Sequence, residues 1–146
     1  ASVIRCNYLK FFDPRTNHNF RLPMLNVRLT HQSRSFATVG LVDSGATTTF
    51  IPTSMAEILQ LDRSAVAKDA VGAGGLFRNK DSEPERLTLL KGRNSIYDEF
   101  QNVKVQVPEN PDAIPYVVLG RDTLFRRYDI TFRERNEKII LKRHKP

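Results

Sequence analysis

Apolar residues in this chain fall in short runs of strand length, set apart by turn-forming residues. Within residues 20–30, Leu25, Val27 and Leu29 alternate with Asn26, Arg28 and Thr30, the period of a half-buried strand. The polar stretch His31-Gln32-Ser33-Arg34-Ser35 turns the chain, and residues 36–42 read as the hairpin partner, leading straight into Asp43. The same pattern predicts strands over 3–11, 68–71, 85–90, 100–107 and 116–119. A last hairpin is expected where residues 128–132 and 138–141 flank the charged turn 133–137. Helical signals are few. Ser54-Met55-Ala56-Glu57 has the Ser-x-x-Glu form of a capping box and predicts a helix of one or two turns starting near Ser54, with Ile58, Leu59 and Leu61 on its apolar side. Asp122 is placed to cap a second short helix over 122–127. Residues 72–85, rich in glycine and then in charge, are expected to be mobile. Phe11, Phe12, Phe20, Phe36, Phe50, Phe100, Phe125 and Phe132 fall at strand or helix positions, which predicts core placement. Neither an internal repeat nor a low-complexity linker interrupts the 146 residues, so the pattern describes one mostly β domain over 1–146.

Composition narrows the function classes only slightly. The chain is 40% apolar and 27% charged, ordinary for a globular protein. No run approaches the roughly 18 apolar residues of a membrane-spanning helix. The N-terminus has no basic region followed by an apolar segment, so no signal peptide is read there. Its start at Ala1, without Met, is what a piece excised from something longer would show. The lone cysteine, Cys6, excludes an internal disulfide and fits a reducing, cytoplasmic compartment. A formal net charge of +7 permits nucleic-acid or anionic-membrane contact. It is spread along the chain, however, with one compact basic tail at Lys142-Arg143-His144-Lys145, and no aromatic-plus-basic stacking motif accompanies it. The charge is read as surface solvation, and no nucleic-acid partner is expected.

The chemistry concentrates at Gly40-Leu41-Val42-Asp43-Ser44-Gly45-Ala46. An apolar strand there delivers a carboxylate into a turn of small residues, whose backbone N–H groups stay approachable, and Ser44 can brace the turn. Asp-Ser-Gly also occurs in ordinary turns, because all three residues favour them. The preceding apolar strand favours a functional reading, since a charge at the end of a buried strand is normally used or paired. Other chemistries lack their residues. His18, His31 and His144 are isolated, without metal-ligand spacing, and no metal or cofactor is expected. Ser44 is not in a Gly-x-Ser-x-Gly elbow. Gly72-Ala73-Gly74-Gly75 is not a dinucleotide fingerprint, and Lys91-Gly92-Arg93 lacks the upstream glycines of a phosphate loop.

Leu41-Val42-Asp43-Ser44-Gly45-Ala46 followed by Thr47-Thr48-Thr49-Phe50-Ile51-Pro52 resembles the active-site loop of the retropepsins, retroviral-type aspartic proteases that are single-domain relatives of the pepsins. The likeness runs from about 22 to 141. Val71-Gly72-Ala73-Gly74-Gly75-Leu76-Phe77 resembles the glycine-rich tip of the family's flap, whose glycines permit close backbone approach to a peptide. Val117-Val118-Leu119-Gly120-Arg121-Asp122 resembles the segment that packs beneath the active-site loop. The resemblance implies an all-β, closed antiparallel acid-protease barrel with one or two short helices, working as a two-fold symmetric homodimer. It implies Asp43, Ser44 and Gly45 as catalytic residues, and Ala46, Thr47, Thr48, Gly72, Ala73, Gly74 and Gly75 as substrate-binding. Gly120, Arg121 and Asp122 would be structural support.

Such enzymes need two carboxylates that share a proton, the familiar case in which adjacent like charges cannot both ionise. A second Asp-Ser/Thr-Gly is missing: Asp81-Ser82 is followed by Glu83, and Asp122-Thr123 by Leu124. Symmetry is then the source of the second Asp43, and the expected partners are a second copy of the chain and a peptide or protein substrate. Thr47 and Thr48 stand where retroviral members carry acidic residues. Arg121 must therefore find another carboxylate, or bond Thr47 and backbone carbonyls. The rival reading is a non-catalytic domain that keeps this fold for dimerisation or peptide binding.

Overall fold

The computed structural model describes residues 3–63, 68–72, 75–92 and 95–145. Its strands are β1 (Val3–Asn7), β2 (Leu9–Asp13), β3 (His18–Leu22), β4 (Met24–His31), β5 (Arg34–Val42), β6 (Thr49–Phe50) and β7 (Lys68–Gly72). They continue as β8 (Gly75–Ser82), β9 (Arg86–Leu90), β10 (Ile96–Gln101), β11 (Val105–Pro108), β12 (Val117–Leu119), β13 (Tyr128–Arg133) and β14 (Lys138–Arg143). One helix, α1 (Thr53–Leu59), follows β6.

Nine strands form one curled sheet in the order β10-β9-β4-β5-β12-β6-β11-β8-β7. Its centre is the expected β4–β5 hairpin, in register from Met24↔Leu41 to His31↔Arg34. Leu25, Val27 and Leu29 are buried on β4 while Asn26 is exposed, as the alternation predicts. The core gathers these with Leu87, Leu89, Val105, Val107, Val117, Leu119 and Leu124, under a lid of Met55, Ala56 and Leu59 from α1. A second sheet, β1-β14-β13, joins the two ends of the chain and buries Ile4, Tyr8, Tyr128, Ile139 and Leu141. The β2–β3 hairpin stands as a sheet of its own.

Several expectations need correction. The large sheet is a half-barrel, not a closed antiparallel barrel: β10 and β7 are its unjoined edges. Two of its pairs, β5–β12 and β6–β11, are parallel. A hairpin turn forces antiparallel pairing, whereas the long chain between β5 and β12 leaves β12 free to enter in either sense. The strand expected over 20–30 is broken at Pro23, which has no N–H for a ladder and whose carbonyl instead accepts the Val42 N–H at 2.9 Å. The strand expected over 100–107 is interrupted at Asn102, which takes φ 49°. Residues 75–82, inside the stretch expected to be mobile, form a strand paired on both sides, with β7 and with β11. Its charges mark polar side chains, not a backbone without partners.

The Ser54 capping box is not used. Pro52 takes the N-cap position of α1, and the Thr53 hydroxyl donates to the Pro108 carbonyl at 2.7 Å. The helix ends at Gln60 in the left-handed region, φ 53°, with the Leu61 N–H returning to Ala56 O at 3.0 Å, the usual way of satisfying the last carbonyls. Leu59 and Leu61 are buried, but Ile58 is exposed. The helix expected over 122–127 is a single wide turn, Arg121–Phe125, entered from Gly120 and not capped by Asp122. Of the phenylalanines, Phe100 is core, whereas Phe12, Phe20 and Phe132 are exposed.

Candidate active site

β5 delivers Asp43, and β12 receives it. Val118 and Leu119 lie beside Leu41 and Val42 in parallel register, and the Asp43 N–H continues that ladder to Leu119 O at 3.1 Å. The chain then turns sharply, with the Ala46 N–H on Asp43 O at 3.3 Å. The Gly45 N–H donates to Asp43 Oδ1 at 2.8 Å, so a backbone dipole is aimed at the carboxylate. A Cβ on Gly45 would lie 3.2 Å from that oxygen; glycine is what lets the backbone come so close. Asp43 is half-buried and Ser44 and Gly45 are exposed. The carboxylate is held by fixed groups yet open to a ligand.

The turn is stitched to the segment after β12 at every step. Arg121 N–H donates to Ala46 O at 2.9 Å and Asp122 N–H to Thr47 O at 3.1 Å. Thr48 Oγ1 donates to Asp122 Oδ2 at 2.7 Å. Thr123 Oγ1 donates to Asp122 Oδ1 at 3.1 Å, so its single proton is committed. The 2.8 Å contact between Thr49 Oγ1 and Thr123 Oγ1 is therefore donated by Thr49, whose oxygen accepts the Gly120 N–H at 3.1 Å. A directed chain thus runs from Gly120 through Thr49 and Thr123 into the Asp122 carboxylate. Gly120 itself has φ −91° and ψ 179°, which any residue adopts, but a Cβ there would fall 2.0 Å from Thr48 O. Glycine is required for space.

This arrangement answers the question of Arg121. Its side chain is exposed and makes no ion pair among the described residues. The threonines standing in place of acidic residues anchor the turn through Asp122 instead. Asp122 thereby accepts from two hydroxyls, those of Thr48 and Thr123. Gly72 and Gly75 close the β7–β8 hairpin as a cross-strand pair; Ala73 and Gly74 lie outside the described residues.

Sequence reasoning missed Thr49, Thr123 and Tyr116. The run Thr47-Thr48-Thr49 was the available signal for the first, since consecutive hydroxyls in a tight turn need acceptors. Tyr116, just before β12, has no such signal. Its phenol is pushed up first by burial; Arg15 pulls it down, and the Asp43 and Asp13 carboxylates raise it again. Tyr116 therefore lies within electrostatic reach of Asp43. Its ring meets Phe11 of β2 edge-on, with centroids 5.2 Å apart.

Asp43 thus stands at the end of a β-strand, in a turn of small residues that a second strand and a helical turn clamp from below. Residues 35–123 match the family model described as Aspartyl protease, and the chain belongs to that family. Its fold is retropepsin-like. A solved structure described as a retropepsin-like aspartic protease from Rickettsia conorii is similar over 97% of this chain and 99% of that one, with a TM-score of 0.61 at 18% identity. No curated protein sequence matches the chain.

Proposed function

We propose that this protein is an aspartic endopeptidase that hydrolyses peptide bonds as a homodimer, with Asp43 of each subunit forming the catalytic dyad. The observation that carries this reading is the Asp43 turn: a half-exposed carboxylate held by the Gly45 N–H and clamped through hydrogen bonds between residues 46–49 and 120–123, in a chain with no second such motif. One carboxylate cannot both activate water and protonate a carbonyl; two related by a two-fold axis can. The ionised Asp43 takes a proton from the water while its protonated counterpart donates to the scissile carbonyl. The Ser44 hydroxyl, exposed beside Asp43, braces the turn. The peptide lies as an added strand over Ala46, Thr47 and Thr48, and the β7–β8 hairpin, closed by the Gly72–Gly75 pair, folds over it as a flap. No metal or organic cofactor takes part.

The test is cleavage of a peptide library at mildly acidic pH by the wild-type protein and by Asp43→Asn, with a general aspartic-protease inhibitor as control. Expected is cleavage by the wild type alone, abolished by the inhibitor and declining at high pH as both carboxylates ionise. Cleavage that survives Asp43→Asn, or a rate that is flat between mildly acidic and alkaline pH, would rule the mechanism out.

A further inference from the structure

The β2–β3 hairpin lies outside the residues that match the family model. Its register pairs Leu9↔Leu22, Phe11↔Phe20 and Asp13↔His18, and directly paired residues share a face. One face therefore presents Leu9, Leu22, Phe11 and Phe20, with Asp13 and His18 at its turn end. Lys10, Phe12, Asn19 and Arg21 point the other way. The first face is tied to the site at two points. Phe11 packs on Tyr116, in the approach to the strand that underlies Asp43. At the base of the hairpin, Pro23 O holds the N–H of Val42, the residue before Asp43. Phe20 sits beside Phe11 on that face and is 44% exposed. A single exposed Phe is ordinary; an exposed Phe continuous with two further aromatic rings leading to a catalytic carboxylate is a prepared apolar surface.

We propose that the β2–β3 hairpin forms a wall of the substrate groove, in which Phe20, beside Phe11 and Tyr116, receives a large apolar or aromatic side chain of the peptide near the scissile bond. This rests on reading Asp43 as the catalytic carboxylate. An extended peptide presents alternate side chains to each side, and the wall takes one of them. Its extent is set by polar neighbours. Asp13 accepts from Arg15 Nε at 3.1 Å, and the His18 ring lies 6.2 Å from that of Phe20, so the apolar surface is bounded on the turn side and fits one side chain. Edge-to-face contact among the rings favours an aromatic occupant.

The chain contains no Trp, so a tryptophan-bearing peptide can be followed by its own fluorescence as it binds the Asp43→Asn protein. Phe20→Ala is expected to weaken that binding by about tenfold, as loss of one aromatic contact does, and Phe20→Leu to retain most of it. Phe12→Ala, on the opposite face of the same hairpin and comparably exposed at 49%, should leave it unchanged. In the active protein, Phe20→Ala should lower kcat/KM for peptides with Phe beside the cleaved bond relative to those with Ala, by a similar factor. The wall is overturned if the tryptophan peptide fails to bind, if Phe20→Ala changes nothing, or if Phe12→Ala weakens binding equally. A wild type that cleaves nothing, with Phe20-dependent binding intact, would sink the catalytic reading and keep the wall.

Discussion

Gly120 shows how much a single position carries. The clamp beneath Asp43 requires the backbone after β12 to touch the backbone of Thr48, and any side chain at Gly120 prevents it. Gly120→Ala is expected to lower unfolding free energy by about 3 kcal/mol, the upper range for overpacking, because the backbone at Gly120 cannot shift without straining the adjacent Asp43–Leu119 bond. Gly92→Ala serves as control: a Cβ there meets nothing within 4 Å, and its urea midpoint should match that of the wild type. Thr123→Val tests the directed chain of hydroxyls. It removes the acceptor of Thr49 and one donor to Asp122, and should cost about 1–2 kcal/mol in the same urea titrations. The sequence announces Gly120 as a glycine but not its reason, which is a close approach to the Thr48 backbone, far earlier in the chain.

At the scale of elements, the joint between the large sheet and the terminal sheet turns on Asp98 of β10. Tyr128 Oη donates to Asp98 Oδ2 at 2.5 Å, Arg127 at 3.0 Å and Arg143 at 3.2 Å, while the Arg127 guanidinium lies 3.9 Å over the Phe100 ring. Burial alone would raise the Asp98 carboxyl, but the bonds from Tyr128, Arg127 and the Glu99 N–H more than reverse it, and its net position is below the ordinary value of 3.8. Tyr128 is pushed up to about 12, by burial and by Asp98. Because the folded form holds the proton less tightly than the unfolded chain, Asp98 stabilises the fold above its ordinary value. That contribution disappears as pH falls through the lowered folded value. Asp98→Asn should therefore cost about 2–4 kcal/mol at neutral pH, and the difference from wild type should shrink progressively from neutral pH into strong acid. Thermal midpoints of both proteins across that range measure it. A difference that persists unchanged into strong acid would contradict this account.

At the scale of the whole molecule, the proposed dyad makes activity a property of the pair. A chain of 16.7 kDa should sediment at twice that mass where it is active, and activity per chain should fall on dilution as pairs separate. Equimolar mixing with Asp43→Asn, after subunit exchange, should leave about one quarter of the pairs with two intact aspartates, and cleavage should drop accordingly. Proportional dilution to one half would mean that each chain works alone. Much of this molecule was legible in its residues. The strands of the β4–β5 hairpin and the β13–β14 hairpin, the buried alternation of Leu25, Val27 and Leu29, and the Asp43 turn all follow from periodicity and turn chemistry, which act between neighbours. Local signals misled where another segment competed for the same groups: Pro52 and Pro108 displaced the Ser54 cap, β11 and β7 ordered the charged strand β8, and Thr48 and Thr123 drew Asp122 away from capping. Only the tertiary structure decided the parallel entry of β12 beneath Asp43, the opening of the barrel into a half, and the packing of Phe11 on Tyr116. Each depends on contacts between distant parts of the chain, whose strength is set by packing and hydrogen-bond geometry that no local pattern encodes.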